Sequence, residues 1–338
     1  MSLPRIWVVP GNRPGDDAQV YALAEELRLP FETRKLVFNW RFWLNGKFMG
    51  ASPVSVKRDL RKRTLLPPWP DLIILVGRRG VPIARWIRKR NGGRTRIVYV
   101  GHPRVRADMF DLIYTTRQYL TPVAPPVRLL PLAMSRYRAR VTPDAQEAAW
   151  LDALPRPHLM LMLGGKTRHW HIGPRYIAGI ALRLAERAAR LGGSLIVVRS
   201  ARTNEEALHE IEETLPEAKC EWRVVRGRFP RFSVLLADGD ELFPTADSVS
   251  MISECVIAGK PVGIVPIEMT TKGRTKLGPA IDDTSPKRDL RRFWEFVLEQ
   301  KLAGEIDQPI ASHTANPVIA AATEVRALLE ATVGKLPS

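Results

Sequence analysis

Side chains that suit a phosphate ligand follow two apolar runs in the second half of the sequence. The run at 158–163 is followed by GGKTR, in which backbone N–H groups, a hydroxyl and two cations can donate to phosphate oxygens. The run at 195–198 is followed by RSART, and arginine offers a fork of donors that matches phosphate. These loops predict a phosphate site with the candidate residues Gly164, Gly165, Lys166, Thr167, Arg168, Ser200, Arg202 and Thr203.

Each of these loops also has a simpler interpretation. GGKT is not a Walker A motif, because the first glycine of Gly-x-x-x-x-Gly-Lys-Ser/Thr is absent, and a solvated turn can have the same composition. Thr203 or Asn204 can act as the N-cap of the next helix, a role compatible with ligand binding. Both loops directly follow predicted strands, and this position favours the interpretation that they bind a ligand.

A third candidate loop, TADSVSMISE, begins at residue 245. Ser248 or Ser250 is predicted at the N-terminus of a helix spanning 249–258, where free N–H groups and the helix dipole favour a phosphate. Glu254 can accept hydrogen bonds from a ribose diol, and Asp247 can cap the helix or contact the ligand. With Thr245 and Met251, these residues complete a predicted nucleotide-like site in the second half of the chain.

The loop after the first apolar run, GNRPGDDAQ, is a candidate for acid–base chemistry. Its glycines let the backbone approach a ligand, and one aspartate can cap the following helix. The other aspartate can accept a proton from an attacking hydroxyl, so Asp16 and Asp17 are the predicted catalytic residues. The further candidates for ligand contact in the first half are Gly11, Asn12, Gly15, Arg78 and His102, although a lone histidine is more often structural.

Short apolar runs alternate with amphipathic stretches along most of the chain, a pattern typical of βα units around parallel sheets. In such sheets ligands bind beyond the carboxyl ends of the strands. A proline-rich stretch at 120–157 interrupts the pattern, and two lobes are therefore predicted. Strands are predicted at 6–9, 33–37, 72–76, 97–100, 112–114, 158–163, 195–198, 222–225 and 262–265, and the last two helices at 287–300 and 317–332.

The net charge of +17 is unevenly distributed along the 338 residues. Residues 1–150 contain 27 Lys and Arg against 11 Asp and Glu, whereas residues 151–338 contain 25 against 24. A basic lobe of this kind is expected to attract a polyanion: nucleic acid, an anionic membrane surface or an anionic acceptor.

Aromatic and basic residues lie close together in the first half. Trp40 and Trp43 are followed by KRDLRKR from residue 57 and RWIRKR from residue 85. This combination suits a membrane interface or a lipid-linked anionic acceptor, and RNA less well because no RRM, KH or helix-turn-helix signature is legible. A basic solvated face with both tryptophans in the core is the simpler alternative. Because those nucleic-acid-binding signatures are absent from the sequence, nucleic acid is the less favoured partner.

No apolar run approaches the roughly 20 residues of a membrane span, and the first residues lack the features of a secretory signal. The two cysteines have no metal-ligand spacing, and both are expected to be buried and reduced. His169 and His171 flank Trp170 without further ligands, so neither a metal nor a tightly bound cofactor is predicted. These features predict a cytoplasmic protein, peripheral on the inner face of a membrane if the basic lobe binds lipid.

Four segments together resemble a known family: GNRPGDDAQVYALAEEL, LGGKTRHW, SARTNEE and TADSVSMISECVIAGKPVGI. They are similar to the family of glycosyltransferases that includes the plant elongated-mitochondria fission proteins and bacterial lipopolysaccharide outer-core transferases. The resemblance implies an α/β fold of GT-B architecture, with two Rossmann-like lobes facing across a cleft. The lobe boundaries expected are 1–150 for the acceptor and 151–310 for the nucleotide-sugar donor, with a C-terminal helix at 311–338 that packs toward the first lobe.

The resemblance also implies roles for the candidate residues. The loop at 164–168 with Ser200, Arg202 and Thr203 would surround the donor phosphates. Ser248, Ser250 and Met251 would lie at the helix N-terminus beside those phosphates, and Glu254 would contact the ribose. The expected activity is metal-independent transfer of a sugar from a nucleotide sugar to an anionic glycolipid or lipopolysaccharide-type acceptor. The alternatives are a non-catalytic, membrane-associated recruiting protein and a nucleotide-sugar epimerase.

Overall fold

The computed structural model describes residues 3–43, 50–137, 141–285 and 287–336. It divides into two compact units: unit 1 contains residues 1–136 and 316–338, and unit 2 contains residues 137–315. The sequence prediction set the corresponding boundaries at 150 and 310. The division comes earlier than 150 because the helix Ala145–Asp152 packs with unit 2.

Unit 1 is built on a parallel sheet of six strands in the order β2-β1-β3-β4-β5-β6. Strands β1, β3 and β5 are buried along their whole length, which explains why β1 and β3 appear in the sequence as unbroken apolar runs. The strands are β1 (Ile6–Val9), β2 (Phe31–Thr33), β3 (Leu72–Val76), β4 (Arg96–Val100), β5 (Leu112–Thr116) and β6 (Val127–Leu130), and the helices are α1 (Pro14–Glu26), α2 (Arg58–Thr64), α3 (Val81–Arg90) and α11 (Val318–Val333).

The C-terminal helix α11 completes the core of unit 1. Its Val325 and Leu329 are buried in one cluster with Leu23 of α1. At its polar side, Glu324 accepts hydrogen bonds from the Tyr114 hydroxyl at 2.8 Å and from Arg128 Nε at 2.6 Å. The last helix therefore belongs to the first unit, although nearly two hundred residues separate it from β6.

Unit 2 has a seven-stranded sheet whose main path runs β10-β9-β7-β11-β12-β14, with β15 antiparallel to β12. Its elements are β7 (His158–Leu163), β8 (Trp170–His171), β9 (Ser194–Arg199), β10 (Glu221–Val225), β11 (Glu241–Pro244), β12 (Pro261–Ile264), β13 (Glu268–Met269), β14 (Gly304–Glu305) and β15 (Ile310–Ala311), with the helices α4 (Ala145–Asp152), α5 (Pro174–Arg190), α6 (Glu205–Thr214), α7 (Phe232–Asp238), α8 (Val249–Ile257), α9 (Thr271–Leu277) and α10 (Arg291–Glu299). Strands β8 and β13 pair with each other outside the main sheet.

Two predicted elements lie elsewhere in the structure. Strand β2 covers Phe31–Thr33 rather than 33–37, because its pairing with β1 ends at Thr33 and Val37 is exposed. Helix α10 begins at Arg291 rather than at 287. The preceding turn is organised by Asp289, whose carboxylate accepts from Arg291 N–H at 3.1 Å, and by Arg291 Nη1, which donates to the Pro279 carbonyl at 2.7 Å.

A buried carboxylate attaches helix α4, near the start of unit 2, to the N-terminus of helix α7. Glu147 in α4 is 1% exposed and accepts hydrogen bonds from the Arg231 backbone N–H at 2.9 Å, Arg231 Nε at 2.8 Å and the Asp144 N–H at 3.0 Å. The hydrogen bond and charge of Arg231 lower the pKa of Glu147 to about 2. A carboxyl pKa below its ordinary value means that ionised Glu147 stabilises the folded state.

We expect Glu147→Gln to lower the resistance of the protein to urea at pH 7, because the amide cannot accept the Arg231 and Asp144 donors as a carboxylate does. The stabilisation is complete above about pH 4.5, the ordinary Glu value, and is lost as the pH falls toward 2. Urea midpoints measured across this range should therefore converge for wild type and variant. Glu213→Gln, at a side chain 62% exposed, serves as the control. If the difference in urea midpoint between wild type and Glu147→Gln does not change with pH, the stabilisation does not come from the ionised Glu147 carboxylate.

Candidate functional site

The three predicted phosphate loops of unit 2 lie at one edge of the sheet. Strands β9, β7 and β11 are neighbours and parallel, so the loops that follow Arg199, Leu163 and Pro244 lie side by side. The direction in which successive strands are added also reverses between β7 and β11. A crevice at such a reversal is the usual ligand site in a doubly wound sheet.

The buried carboxylate of Asp247 joins these loops. Its side chain is 1% exposed and accepts a hydrogen bond from the Gly165 N–H at 3.0 Å and from the Thr245 hydroxyl at 2.7 Å. Arg202 Nη1 lies 2.7 Å from Asp247 Oδ2, although the arginine side chain is 44% exposed. The carboxylate therefore links the carboxyl ends of β7, β9 and β11 through charge-assisted hydrogen bonds.

Glycine is required at 164 and 165 because other groups approach the backbone closely. A Cβ on Gly164 would lie 2.0 Å from Asp247 Oδ1, and one on Gly165 would lie 1.8 Å from the Arg202 carbonyl oxygen. The Gly164 N–H donates to Thr245 Oγ1 at 2.8 Å, and the Gly165 N–H donates to Asp247. The paired glycines therefore use their N–H groups within the protein, and the predicted anion cradle does not have these two donors.

Hydroxyl groups complete the same hydrogen-bonded network. Thr203 Oγ1 lies 2.8 Å from the Gly164 carbonyl and 3.0 Å from the Leu163 carbonyl, and it accepts from the Ser200 N–H at 2.9 Å. The Ser200 hydroxyl reaches the Gly164 carbonyl at 3.3 Å. The N-cap of α6 is Asn204, so Thr203 braces the loop and does not cap the helix.

A cavity of about 580 Å³ opens beside this network within unit 2. Its volume falls in the range of small-molecule sites. Three cationic side chains border it, Lys166, Arg202 and Arg274, and its described lining contains no carboxylate. The remaining lining residues are Leu163, Gly164, Gly165, His171, Ile172, Gly173, Pro174, Ile177, Thr203, Asn204, Ala207, Thr270 and Thr271.

Three helices begin at this cavity. Gly173 is the uncapped N-cap of α5, Asn204 caps α6 by accepting the Glu206 N–H at 3.2 Å, and Thr270 caps α9 by accepting the Gly273 N–H at 3.0 Å. The longer helices α5 and α6 therefore direct the positive ends of their dipoles toward the cavity. Together with the three cations, they make the cavity suitable for an anion.

Arg274 and the Thr270–Thr271 pair are lining residues that sequence reasoning missed. They lie on α9, a short helix that follows β13 and that the apolar pattern did not predict. Arg274 Nη1 donates to the Met269 carbonyl at 2.8 Å, which holds the guanidinium near the start of its own helix. A threonine three residues before glycine in TTKGR was the available signal, because threonine is a favoured N-cap.

Other predicted site residues do not line the cavity. Thr167 closes a tight turn in which its N–H donates to the Trp170 carbonyl at 2.9 Å, and Arg168 is exposed in the same turn. Ser248 is the N-cap of α8, where its hydroxyl accepts from the Met251 N–H at 3.3 Å. Ser250 and Glu254 lie on the first two turns of α8, and their ligand contacts stay predictions.

In unit 1 the candidate residues also lie at the carboxyl edge of the sheet. Strands β1, β3 and β4 are neighbours, so the loops that contain Gly11, Arg78 and His102 follow adjacent strand ends. Gly11 packs closely on Val76, and a Cβ on Gly11 would lie 3.1 Å from the Val76 carbonyl oxygen, which disfavours a side chain there. Asn12 has a positive φ of 70°, and Gly15 lies in the first turn of α1.

The two predicted catalytic aspartates have different surroundings. Helix α1 begins at Pro14 with Arg13 as its N-cap, and both aspartates lie in the first turn. Asp17 Oδ1 accepts the Gly11 N–H at 2.5 Å and so holds the loop. Burial raises the pKa of the Tyr99 hydroxyl, and Tyr119 and, to a smaller extent, the Asp16 carboxylate raise it further. Asp17 thus holds the loop backbone, and the catalytic role of either aspartate stays a prediction.

The described residues include no group of three or more His, Cys, Asp or Glu that could hold a metal ion. His171 Nε2 lies 3.4 Å from Glu268 Oε2, a surface pair. Burial and the nearby Arg168 lower the pKa of His169. In the part of the chain that the structure describes, no helix is long and apolar enough to cross a membrane.

Comparison with known proteins identifies the family. The family model described as mitochondrial fission ELM1 matches residues 14–303. The chain belongs to this family. Mitochondrial fission protein ELM1 of Arabidopsis thaliana is 27% identical over 235 residues, covering 61% of this chain and 54% of that protein. An uncharacterized protein of Rickettsia prowazekii, RP120, is 30% identical over 108 residues, covering 32% of this chain and 30% of that protein. The chain thus spans about half or less of the length of these two relatives.

Solved structures share the fold of this ELM1-family chain. The glycosyltransferase SnogD of Streptomyces nogalater is 17% identical, with 97% of this chain and 100% of that chain covered and a TM-score of 0.51. UDP-GlcNAc 2-epimerase of Neisseria meningitidis, solved with UDP-GlcNAc, is 10% identical, with 96% and 99% covered and a TM-score of 0.52. The Staphylococcus aureus MnaA–UDP structure is 12% identical, with 99% of each chain covered and a TM-score of 0.51. These similarities confirm the predicted GT-B class of fold.

We expect Gly165→Ala to destabilise the protein by about 2 kcal/mol or more, because the new methyl group meets backbone that cannot move away cheaply. Gly179→Ala is the matched control: Gly179 is exposed within α5, and no atom lies within 4 Å of the added Cβ. Alanine there should stabilise the helix by about 0.5–1 kcal/mol. Urea unfolding of both variants tests this difference. Equal stability of the two variants would contradict the close approach at Gly165.

Proposed function

We propose that this protein is a glycosyltransferase that binds a nucleotide sugar on unit 2 and transfers the sugar, without a metal, to an anionic glycolipid or lipopolysaccharide-type acceptor on unit 1. One observation carries the donor half of the proposal. The unit 2 cavity is bordered by Lys166, Arg202 and Arg274 and has no carboxylate in its described lining. Such a cavity stabilises an anion, and the diphosphate is the anionic part of a nucleotide sugar.

The fold supports a nucleotide-sugar ligand. SnogD is named a glycosyltransferase, and the Neisseria epimerase structure contains UDP-GlcNAc. In the proposed reaction the glycosidic bond to the diphosphate breaks as the acceptor oxygen attacks, and negative charge grows on the leaving nucleoside diphosphate. Lys166, Arg202 and Arg274 would stabilise that charge, the role that a metal ion plays in other transferases.

Asp16 is the proposed base. A carboxylate at the carboxyl edge of unit 1 can accept the proton of the attacking hydroxyl. Asp17 would keep the loop in place through its 2.5 Å hydrogen bond from the Gly11 N–H. The excess of cations in the first half of the sequence would attract an anionic acceptor.

A second candidate function, membrane-associated recruitment without catalysis, is favoured by one surface feature. Trp40 and Trp43 are 69% and 73% exposed, so neither is in the core. Helix α2 has Arg58, Lys62 and Arg63 on exposed positions. Exposed tryptophans and cations are typical of proteins that bind an anionic membrane interface. Family membership is compatible with this function, since the Arabidopsis relative is named a fission protein.

The nucleotide-sugar epimerase alternative makes a different prediction from the transferase. An epimerase converts its sugar nucleotide when no acceptor is present, whereas a transferase needs an acceptor for turnover. Product analysis of candidate nucleotide sugars incubated with the protein alone distinguishes them. Formation of an epimeric sugar nucleotide would replace the transferase proposal.

We expect one or more members of a panel of nucleotide sugars to raise the melting temperature of the protein, because a ligand that binds only the folded state stabilises it. The double variant Lys166→Ala/Arg274→Ala should lose about tenfold or more in affinity. Arg190→Ala removes an exposed cation at the end of α5, away from the cavity lining, and is the control. Glu254→Ala should weaken binding through the ribose. No thermal shift with any nucleotide, and no effect of Glu254→Ala, would reject the enzyme proposal.

We expect binding to anionic liposomes that weakens with added salt, because exposed charges are screened. Replacing Arg58, Arg61, Lys62 and Arg63 together by glutamine should abolish this binding, and Trp40→Ala should weaken it. Liposomes of neutral lipid are the control. Binding that the fourfold variant retains would show that this surface is not the membrane contact.

A further inference from the structure

The loops after β1, β3, β4 and β5 lie at one edge of unit 1, because these strands are parallel members of one sheet. Tyr99 on β4 is 2% exposed, and its hydroxyl interacts with the backbone of Gly77 in the loop after β3. The same hydroxyl lies in the electrostatic field of Asp16, Tyr119 and Arg104. The Gly77 contact joins the loop after β3 to β4, and the stacking of His102 on Tyr119 joins the loop after β4 to the loop after β5.

A histidine is held in a fixed orientation at this point. The His102 ring stacks on Tyr119 with centroids 5.2 Å apart and an interplanar angle of 18°, and its Nδ1 lies 3.3 Å from Thr121 Oγ1. The hydrogen bond occupies Nδ1, which leaves Nε2 for another partner. Burial, with a smaller contribution from the Arg104 guanidinium, lowers the pKa of His102.

Two arginines of neighbouring loops lie at this edge without an ion-pair partner among the described residues. They are Arg78, after β3, and Arg104, after β4, and both are exposed. Arg104 has a positive φ of 58°, a conformation that arginine rarely adopts. By contrast, Arg106 two residues later pairs with Asp108. Arg104 and His102 therefore present adjacent cationic or hydrogen-bonding groups that the chain itself does not neutralise.

We propose that His102 and Arg104, with Arg78 on the neighbouring strand end, bind a phosphate monoester on the acceptor. This inference deepens the proposed function and rests on it. Arginine matches two phosphate oxygens with its planar fork, and a histidine Nε2–H can donate to a third. Asp16, after β1, lies at the same edge of the sheet as Arg104, after β4, so a phosphorylated sugar bound by Arg104 would lie at the edge that contains the proposed base. The substrate class is then a phosphorylated glycan rather than a neutral one.

The test measures binding of glucose 6-phosphate, glucose and inorganic phosphate to the full-length protein by calorimetry. Glucose 6-phosphate should bind, and glucose should bind at least about tenfold more weakly. Tight binding of inorganic phosphate alone, equal to that of the sugar phosphate, would assign the site to free phosphate and overturn the acceptor assignment. Equal binding of glucose and glucose 6-phosphate would overturn the proposal altogether.

The variants Arg104→Asn and Arg106→Asn form a matched pair in one loop, with the same loss of charge. Asparagine tolerates the positive φ at 104, so the backbone is not strained. Arg104→Asn should lower the affinity for glucose 6-phosphate by about tenfold or more, and Arg106→Asn should lower it by less than about twofold. Equal weakening by both variants would mean a diffuse charge effect and would overturn the site. His102→Gln, which can still donate one hydrogen bond, should fall between the two.

The unit 2 cavity is a competing site for a phosphate ester, and a third variant separates the two. In Lys166→Ala/Arg274→Ala the proposal predicts that glucose 6-phosphate still binds with unchanged affinity. Binding lost in that variant and retained in Arg104→Asn would move the ester to unit 2 and contradict the inference. A parallel titration with nucleotide sugars tests the proposed function separately. If no nucleotide sugar binds while glucose 6-phosphate still does, the donor-binding proposal is rejected and the phosphate site of unit 1 is retained.

Discussion

The buried carboxylate of Asp247 is the interaction on which the candidate site of unit 2 depends. It accepts donors from the loop after β7 and from Thr245, and it pairs with Arg202 from the loop after β9. A charge buried without partners would cost several kcal/mol, so each of these donors is needed where it is. The two glycines follow from the same constraint, because the carboxylate occupies the space that a Cβ on Gly164 would take.

This arrangement determines which groups can serve a ligand. The Gly164 and Gly165 N–H groups donate to Thr245 and Asp247, so an anion in the cavity would be bound by side chains and helix ends. Lys166 and Arg274 border the cavity, and Arg202 contributes to it while remaining paired with Asp247. Arg202 therefore connects the cavity to the hydrogen-bonded network around Asp247. In unit 1 the candidate residues lie at the corresponding carboxyl edge, with Asp16 after β1 and with His102 and Arg104 after β4, the strand that contains Tyr99.

Sequence alone predicted the strands that are buried on both faces, because β1, β3 and β7 are unbroken apolar runs that end in polar loops. It also predicted which loops lie at the carboxyl edges, since parallel strands end on one side. It did not predict that the N–H groups of Gly164 and Gly165 donate to side chains of the protein, because those side chains lie about eighty residues away in the sequence. Arg274 was missed for the same reason: only the three-dimensional pairing of β13 with β8 places α9 beside the GGKT loop. The short β2 was misplaced because its edge position leaves it with little apolar burial.

The central claim is that the unit 2 cavity receives the diphosphate of a nucleotide sugar. Hydrogen–deuterium exchange of the full-length protein, measured with and without saturating nucleotide diphosphates, tests it directly. We expect slower exchange in the loop at 164–170 and at the starts of α6 and α9, where Asn204 and Thr270 cap helices beside the cavity. Protection confined to other segments, or none with any nucleotide that binds, would contradict the claim.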